Sequence, residues 1–157
     1  MKLRRLQEMP VFDTHQARVV ARVDRAVLGD SFDLAYLVVE REDGSPGMIS
    51  ARDFSLGDDA VSIDNQERIK SYACGEELSM YQKKVGDLVY AGDGSELGVV
   101  TDFVLSPETG VVTAVEISSG AIRDLLEGRR EVPLECVDWK TAVSAMVSPE
   151  GSDAFDH

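Results

Sequence analysis

Carboxylates are the only plentiful reactive groups in this chain of 157 residues, which holds 29 Asp and Glu, 2 His and 2 Cys. Asp24 and Asp102 stand out because each falls inside an apolar run, at or near matching places in two similar stretches. Read chemically, they are paired acids facing a partner or a cleft. Read structurally, each lies on the wet face of a strand or accepts hydrogen bonds from a nearby turn, since an unsatisfied buried charge is costly. Asp58 and Asp59 with Asp64, and Asp30 with Asp33, could gather a hard cation. Neither group has the ordered oxygen spacing of a calcium loop, so solvated turns are expected.

His15 sits in the polar run Asp13-Thr14-His15-Gln16 with no second histidine near it, and His157 is the last residue. Cys74 and Cys136 have neither zinc-ligand nor CxxC spacing, which suits a reducing compartment. Cys136, flanked by Glu135 and Val137, reads as a small strand residue, and Cys74 before Gly75 as a helix end. Residues 91–98, AGDGSELG, have the glycine content of a phosphate loop. They join strand to strand, whereas a phosphate loop opens a helix. No GxSxG elbow is present. The sequence therefore names no catalytic residue, cofactor site or metal ligand, and a protein that is not an enzyme is expected.

The net charge is −13. Such a chain repels phosphate, and attraction to nucleic acid needs a basic face, so direct nucleic-acid binding is not expected and a basic protein is the better electrostatic partner. Nothing approaches the roughly 18 apolar residues of a membrane helix, and no apolar segment follows the basic start. A soluble, cytoplasmic protein is expected.

Strands position these groups. Leu97, Val99, Thr101, Phe103 and Leu105 alternate with Gly98, Val100, Asp102 and Val104 over a long half-buried run. Asp93-Gly94 before it and the SPETG stretch after it are turn signals. Beyond Ile117, Ser118-Ser119 can cap a short helix in which Ile122, Leu125 and Leu126 share an apolar face and which Gly128 ends. Some of these apolar residues are expected to plug the end of the domain. Pro133 suits an edge strand or bulge.

The same order of turns and apolar runs occurs twice, over residues 6–63 and 85–147. Val19-Val20 aligns with Val99-Val100, Val23 with Phe103, Leu37 with Val115, Val39 with Ile117, and Ile49 with Val132. Residues 60–62 align with 142–144, and Arg18 falls where Gly98 stands. The chain divides into a divergent first repeat over 1–64, a linker over 65–79, a second repeat over 80–147 and a disordered tail over 148–157. Asp64 with Glu67 resembles a capping box, so a linker helix from Asn65 to Ala73 is expected.

The second repeat resembles the PRC-barrel family, a small β-barrel also found in the cytoplasmic part of the photosynthetic reaction-centre H subunit and in the C-terminal domain of the ribosome-maturation factor. The likeness rests on Val85-Gly86, Gly94, residues 96–102 (ELGVVTD), the run 110–117 and Gly128-Arg129-Arg130-Glu131-Val132-Pro133. The first repeat resembles the same family with fewer matches. The resemblance implies an all-β fold with short helices, two tandem small barrels packed together, used for protein contacts and sharing no catalytic constellation. It implies an adaptor that binds a protein partner or itself, as in a homodimer. The alternative is assistance to ribosome maturation or RNA processing through a basic ribosomal protein. Contact residues are expected at Ile122, Leu126, Arg129 and Arg130, and at Trp139, an interface anchor or a core cap.

Overall fold

A computed structural model of the chain describes residues 1–72, 80–141 and 143–148, with the side chains at 121 and 122 outside that description. The described residues are mostly strand, in one sheet of seven strands and one of six, with two short helices. The all-β expectation with short helices holds. The chain forms two compact units, the first comprising Met1–Met80 with Ser106–Val111 and the second the remainder. No helix among the described residues is long and apolar enough to cross a membrane.

The first unit contains β1 (Pro10–Asp13), β2 (Arg18–Leu28), β3 (Leu34–Arg41), β4 (Pro46–Ser50), β5 (Ser55–Leu56), β6 (Val61–Ile63) and β7 (Lys70–Ser71). The second contains α1 (Met80–Lys84), β8 (Leu88–Ala91), β9 (Glu96–Leu105), β10 (Val112–Ser118), α2 (Ala121–Glu127), β11 (Arg130–Pro133), β12 (Val137–Trp139) and β13 (Ser144–Val147). Their strand orders, β5-β6-β1-β2-β3-β4-β7 and β11-β10-β9-β8-β13-β12, are one scheme read from opposite edges, with β7 added to the first. In both, the first strand pairs antiparallel with the second and parallel with the sixth.

Register makes the likeness specific. Val23 stands opposite Val39 as Val100 stands opposite Ile117, and Leu28 opposite Leu34 as Leu105 opposite Val112. Each pair of long strands shifts register in the same two places, with the extra residue on the long strand after Val23 and Val100 and on its partner, at Ala35 and Thr113, opposite the steps Val27–Leu28 and Val104–Leu105. Bulges re-aim side chains and are fixed features of a fold, so sharing both is stronger evidence than shared strand order. The entry to each unit matches as well. Val23 N–H donates to the Met9 carbonyl and Glu8 N–H to the Val23 carbonyl, as Val100 N–H donates to the Asp87 carbonyl and Gly86 N–H to the Val100 carbonyl. Glu8 and Gly86 both have positive φ, 69° and 96°.

This pairing corrects part of the sequence alignment. Leu37 and Ile49 do stand where Val115 and Val132 stand. Along β2 and β9, however, the alignment slips by three, because the counterpart of Val100 is Val23 and that of Phe103 is Ala26. Gly98, opposite Val89, corresponds to Ala21, opposite Val11, not to Arg18. In the last strand Val61 corresponds to Ala145, each lying beside the middle of the first strand. The apolar spacing of Val19, Val20 and Val23 mimics that of Val99, Val100 and Phe103, and hydrophobic pattern alone does not exclude a slip when bulges interrupt the period of two.

The linker helix expected over 65–73 is also corrected. Residues Gln66–Arg68 form one 3-10 turn capped by Asn65, whose side chain accepts the Glu67 N–H at 2.8 Å. Asp64 instead pairs with Arg68. The chain then returns as β7 against β4, with Ile69 buried. An apolar residue that can cover a sheet edge outweighs a weak capping signal. Residues 73–79, which include Cys74, and 149–157, which cover almost all of the expected tail, lie outside the described residues.

Candidate functional site

Matching the two units position by position shows where the second carries charge that the first does not. Met9 corresponds to Asp87, so Leu6, three residues earlier, corresponds to Lys84. Leu6 and Met9 are buried core residues. In the second unit Lys84 Nζ lies 3.8 Å from Asp87 Oδ2, with both side chains largely buried, and 5.3 Å from the centre of the Trp139 ring. Phe103 is fully buried between Tyr81 and Trp139, with ring centroids 5.9 and 6.3 Å away.

Asp87 Oδ2 makes no hydrogen bond. Burial pushes its carboxyl above the usual range, against a smaller lowering by Lys84. An acid whose folded pKa is raised contributes stability that is present at low pH and lost as pH rises through that value. Ionised Asp87 therefore leaves the second unit less stable at neutral pH than at low pH. Installing the first unit's residues, Lys84→Leu with Asp87→Met, is expected to stabilise the second unit by about 1–3 kcal/mol, because apolar replacements of buried ion pairs are often neutral or better. Either single substitution strands one buried charge and is expected to destabilise. Hydrogen exchange of the β8 and β9 amides at pH 7 checks the sign.

A second polar cluster ties α2 to the sheet. Asp102 and Glu116 are cross-strand partners on β9 and β10, each with 0% relative exposure. Their counterparts in the first unit are Arg25 and Val38. Glu116 Oε1 accepts hydrogen bonds from the Thr101 hydroxyl at 2.8 Å and from Arg129 Nη1 at 3.0 Å. Asp102 Oδ1 accepts the Phe103 N–H at 2.8 Å. Arg129 also reaches Asp124 at 3.4 Å, and Asp124 accepts the Ser118 hydroxyl at 2.6 Å and the Ser119 N–H at 3.2 Å. The Ser118 hydroxyl, then Ser119 and Arg129, hold the Asp124 carboxyl below the usual carboxylate range. That tether is in place above the ordinary carboxylate range and is lost as pH falls through the lowered value.

These contacts turn the polar side of the helix toward the sheet. The N-cap is Gly120, which has no side chain to cap the helix, and the Ser118 hydroxyl accepts the Gly120 N–H at 3.3 Å instead. Asp124 turns to the sheet, while Leu125 and Leu126 are 85% and 79% exposed. Neither leucine plugs the end of the domain, because buried Glu116 holds Arg129 and, through it, the polar side of the helix inward; the Ile122 side chain, the other residue expected there, lies outside the described residues.

Of the expected contact residues, Leu126 is exposed, Arg129 lies in the tether, and Arg130 pairs with Glu127 at 3.3 Å. The Ile122 side chain lies outside the described residues. Trp139 is half-buried against Phe103 and Lys84. Asp24 is exposed and pairs with Arg25, so Asp24 and Asp102 do not form an equivalent pair. Arg25 stacks on Tyr72 and donates to its hydroxyl at 2.8 Å. His15 lies in a turn with its N–H donated to Asp13 Oδ1, and Cys136 closes a 3-10 turn, Leu134–Cys136, where a strand was expected. Among the described residues, no three His, Cys, Asp or Glu side chains gather as a cation site. Sequence reading missed the Lys84–Asp87 pair and the role of Glu116. The signal was available as charged residues standing where the first repeat has Leu6, Met9 and Val38.

The second unit is thus a small, mostly antiparallel β-domain with a short helix inserted between its third and fourth strands. Residues 81–147 match the PRC-barrel domain family, and a PRC-barrel domain is found there. Among curated proteins no sequence matches the chain.

Proposed function

We propose that the chain is a cytoplasmic, non-catalytic interaction protein whose first unit is a second, diverged copy of the PRC-barrel. The shared strand scheme and both shared bulges support the duplication. The observation that carries the interaction reading is the exposed Leu125-Leu126 pair on α2. Exposed leucine pairs held by a buried polar network are costly to keep unless something covers them. The first unit has no such helix, since its third and fourth strands are joined by a tight turn in which Asp43 accepts the Ser45 N–H and hydroxyl.

Tagged full-length chain and the Leu125→Ser/Leu126→Ser variant, each carried through cross-linking in cells and mass spectrometry, test this. A protein joined to the wild type within reach of α2 and absent with the variant is expected. Equal cross-linking by both chains, or turnover of a small molecule requiring Asp102 or Glu116, would overturn the reading. Co-sedimentation with ribosomal subunits that depends on α2 would identify the partner as a ribosomal protein.

A further inference from the structure

We infer that a second copy of this chain docks on α2 through a two-fold contact with the helices antiparallel; this rests on reading the chain as an interaction protein. Residues four apart share a face of a helix, and Arg123 and Glu127 form such a pair at 3.1 Å. On the helical wheel they stand on one flank of Leu126, while Asp124 faces the opposite way, toward the sheet. Among the described side chains, the surface α2 offers is therefore Leu125 and Leu126, edged by one cation and one anion a turn apart. An antiparallel two-fold centred level with Leu125 sets Arg123 opposite Glu127 of the second copy, and Glu127 opposite its Arg123. The leucines then cover one another. The edge is self-complementary in charge in this orientation, because an antiparallel two-fold brings the two charged flanks to the same side, whereas a parallel two-fold sets each charged flank against the opposite flank of the other copy.

Net charge selects the same patch. At −13, two copies repel through most of their surfaces. The stretch from α2 to the start of β11 carries Arg123, Arg129 and Arg130 against Asp124 and Glu127, so an acidic copy meets no excess of negative charge there. Two leucines a side fall well short of the roughly 800 Å² per partner of a standard stable interface. The association is accordingly weak and concentration-dependent.

Sedimentation equilibrium of the full chain, run from low micromolar to millimolar concentration, tests the contact, with amide protection of β9 and β10 as the control for folding. Wild type is expected to pass from monomer to dimer. Leu125→Ser/Leu126→Ser is expected to abolish the dimer, and Arg123→Glu or Glu127→Arg alone to weaken it at least about tenfold. The double exchange Arg123→Glu/Glu127→Arg restores the complementary edge and is expected to recover the dimer. A chain monomeric throughout, a dimer indifferent to the leucine variant, or a double exchange no better than the singles would each overturn the inference. If a monomeric chain still cross-links a foreign protein through the leucines, the interaction reading stands and self-association alone fails.

Discussion

Replacing Arg129 with methionine is expected to destabilise the second unit by about 3 kcal/mol, the cost of leaving one member of a buried pair behind. Glu116 has no exposure, and Arg129 is 41% exposed, so the loss falls on the carboxylate and not on the arginine. The Thr101 hydroxyl still donates to Glu116, but a hydroxyl does not neutralise a charge. The first unit supplies the control, because Val38 holds the place of Glu116 there. Glu116→Val is expected to cost less than Arg129→Met. The double variant is expected to recover most of the loss, giving a positive coupling in the cycle. Hydrogen exchange of the β10 amides measures all three. The same change takes one of three partners from Asp124, leaving Ser118 and Ser119, so α2 should lose protection before β10 does. Loss at β10 with α2 unchanged would mean that Arg129 does not anchor the helix.

What the sequence showed and what it concealed follow from the range of the forces involved. The Asp93-Gly94 signal is local, and the structure has it, with Gly94 at φ 87° and Asp93 accepting the Ser95 N–H at 2.9 Å; the strict alternation expected along β9 is broken by the bulge after Val100, which puts Val100 and Asp102 among the buried residues with Phe103 and Leu105. Leu37 with Val115 and Ile49 with Val132 were legible because each is an apolar residue in a short, regular strand. Val23 with Phe103 was not, because a bulge after Val23 changes which neighbour the next residue meets, and no residue type marks a bulge in advance. The inward side of α2 was illegible for a related reason. Periodicity groups Ile122, Leu125 and Leu126 on one face without saying which way that face turns, and a residue on another strand, Glu116, decides the orientation. Asp102 was picked out as an acid in an apolar run, but its cross-strand partner Glu116 is 14 positions away, and only register joins them.

Gly98 is where register and backbone meet, and Gly98→Ala is expected to destabilise the second unit by about 3 kcal/mol or more. Its φ is 148°, outside the range L residues adopt readily. An added Cβ would overlap the Ser118 carbonyl oxygen and lie 2.8 Å from the carbonyl carbon. Backbone cannot yield there cheaply, since Val99 beside Gly98 pairs with Ser118. Ser118 also holds Asp124, so displacement passes directly into α2. The reciprocal change tells strain from general intolerance of β2 and β9. Ala21, the counterpart, has no positive φ and a buried side chain, so Ala21→Gly is expected to cost only about 1 kcal/mol, from backbone entropy and lost packing. Amide protection in β9 and β2 compares the two. Equal losses would show that Gly98 is held by strand pairing alone, while a larger loss at Gly98 with weakened dimerisation through α2 would show that the glycine sets the approach of β9 to β10 on which the helix depends.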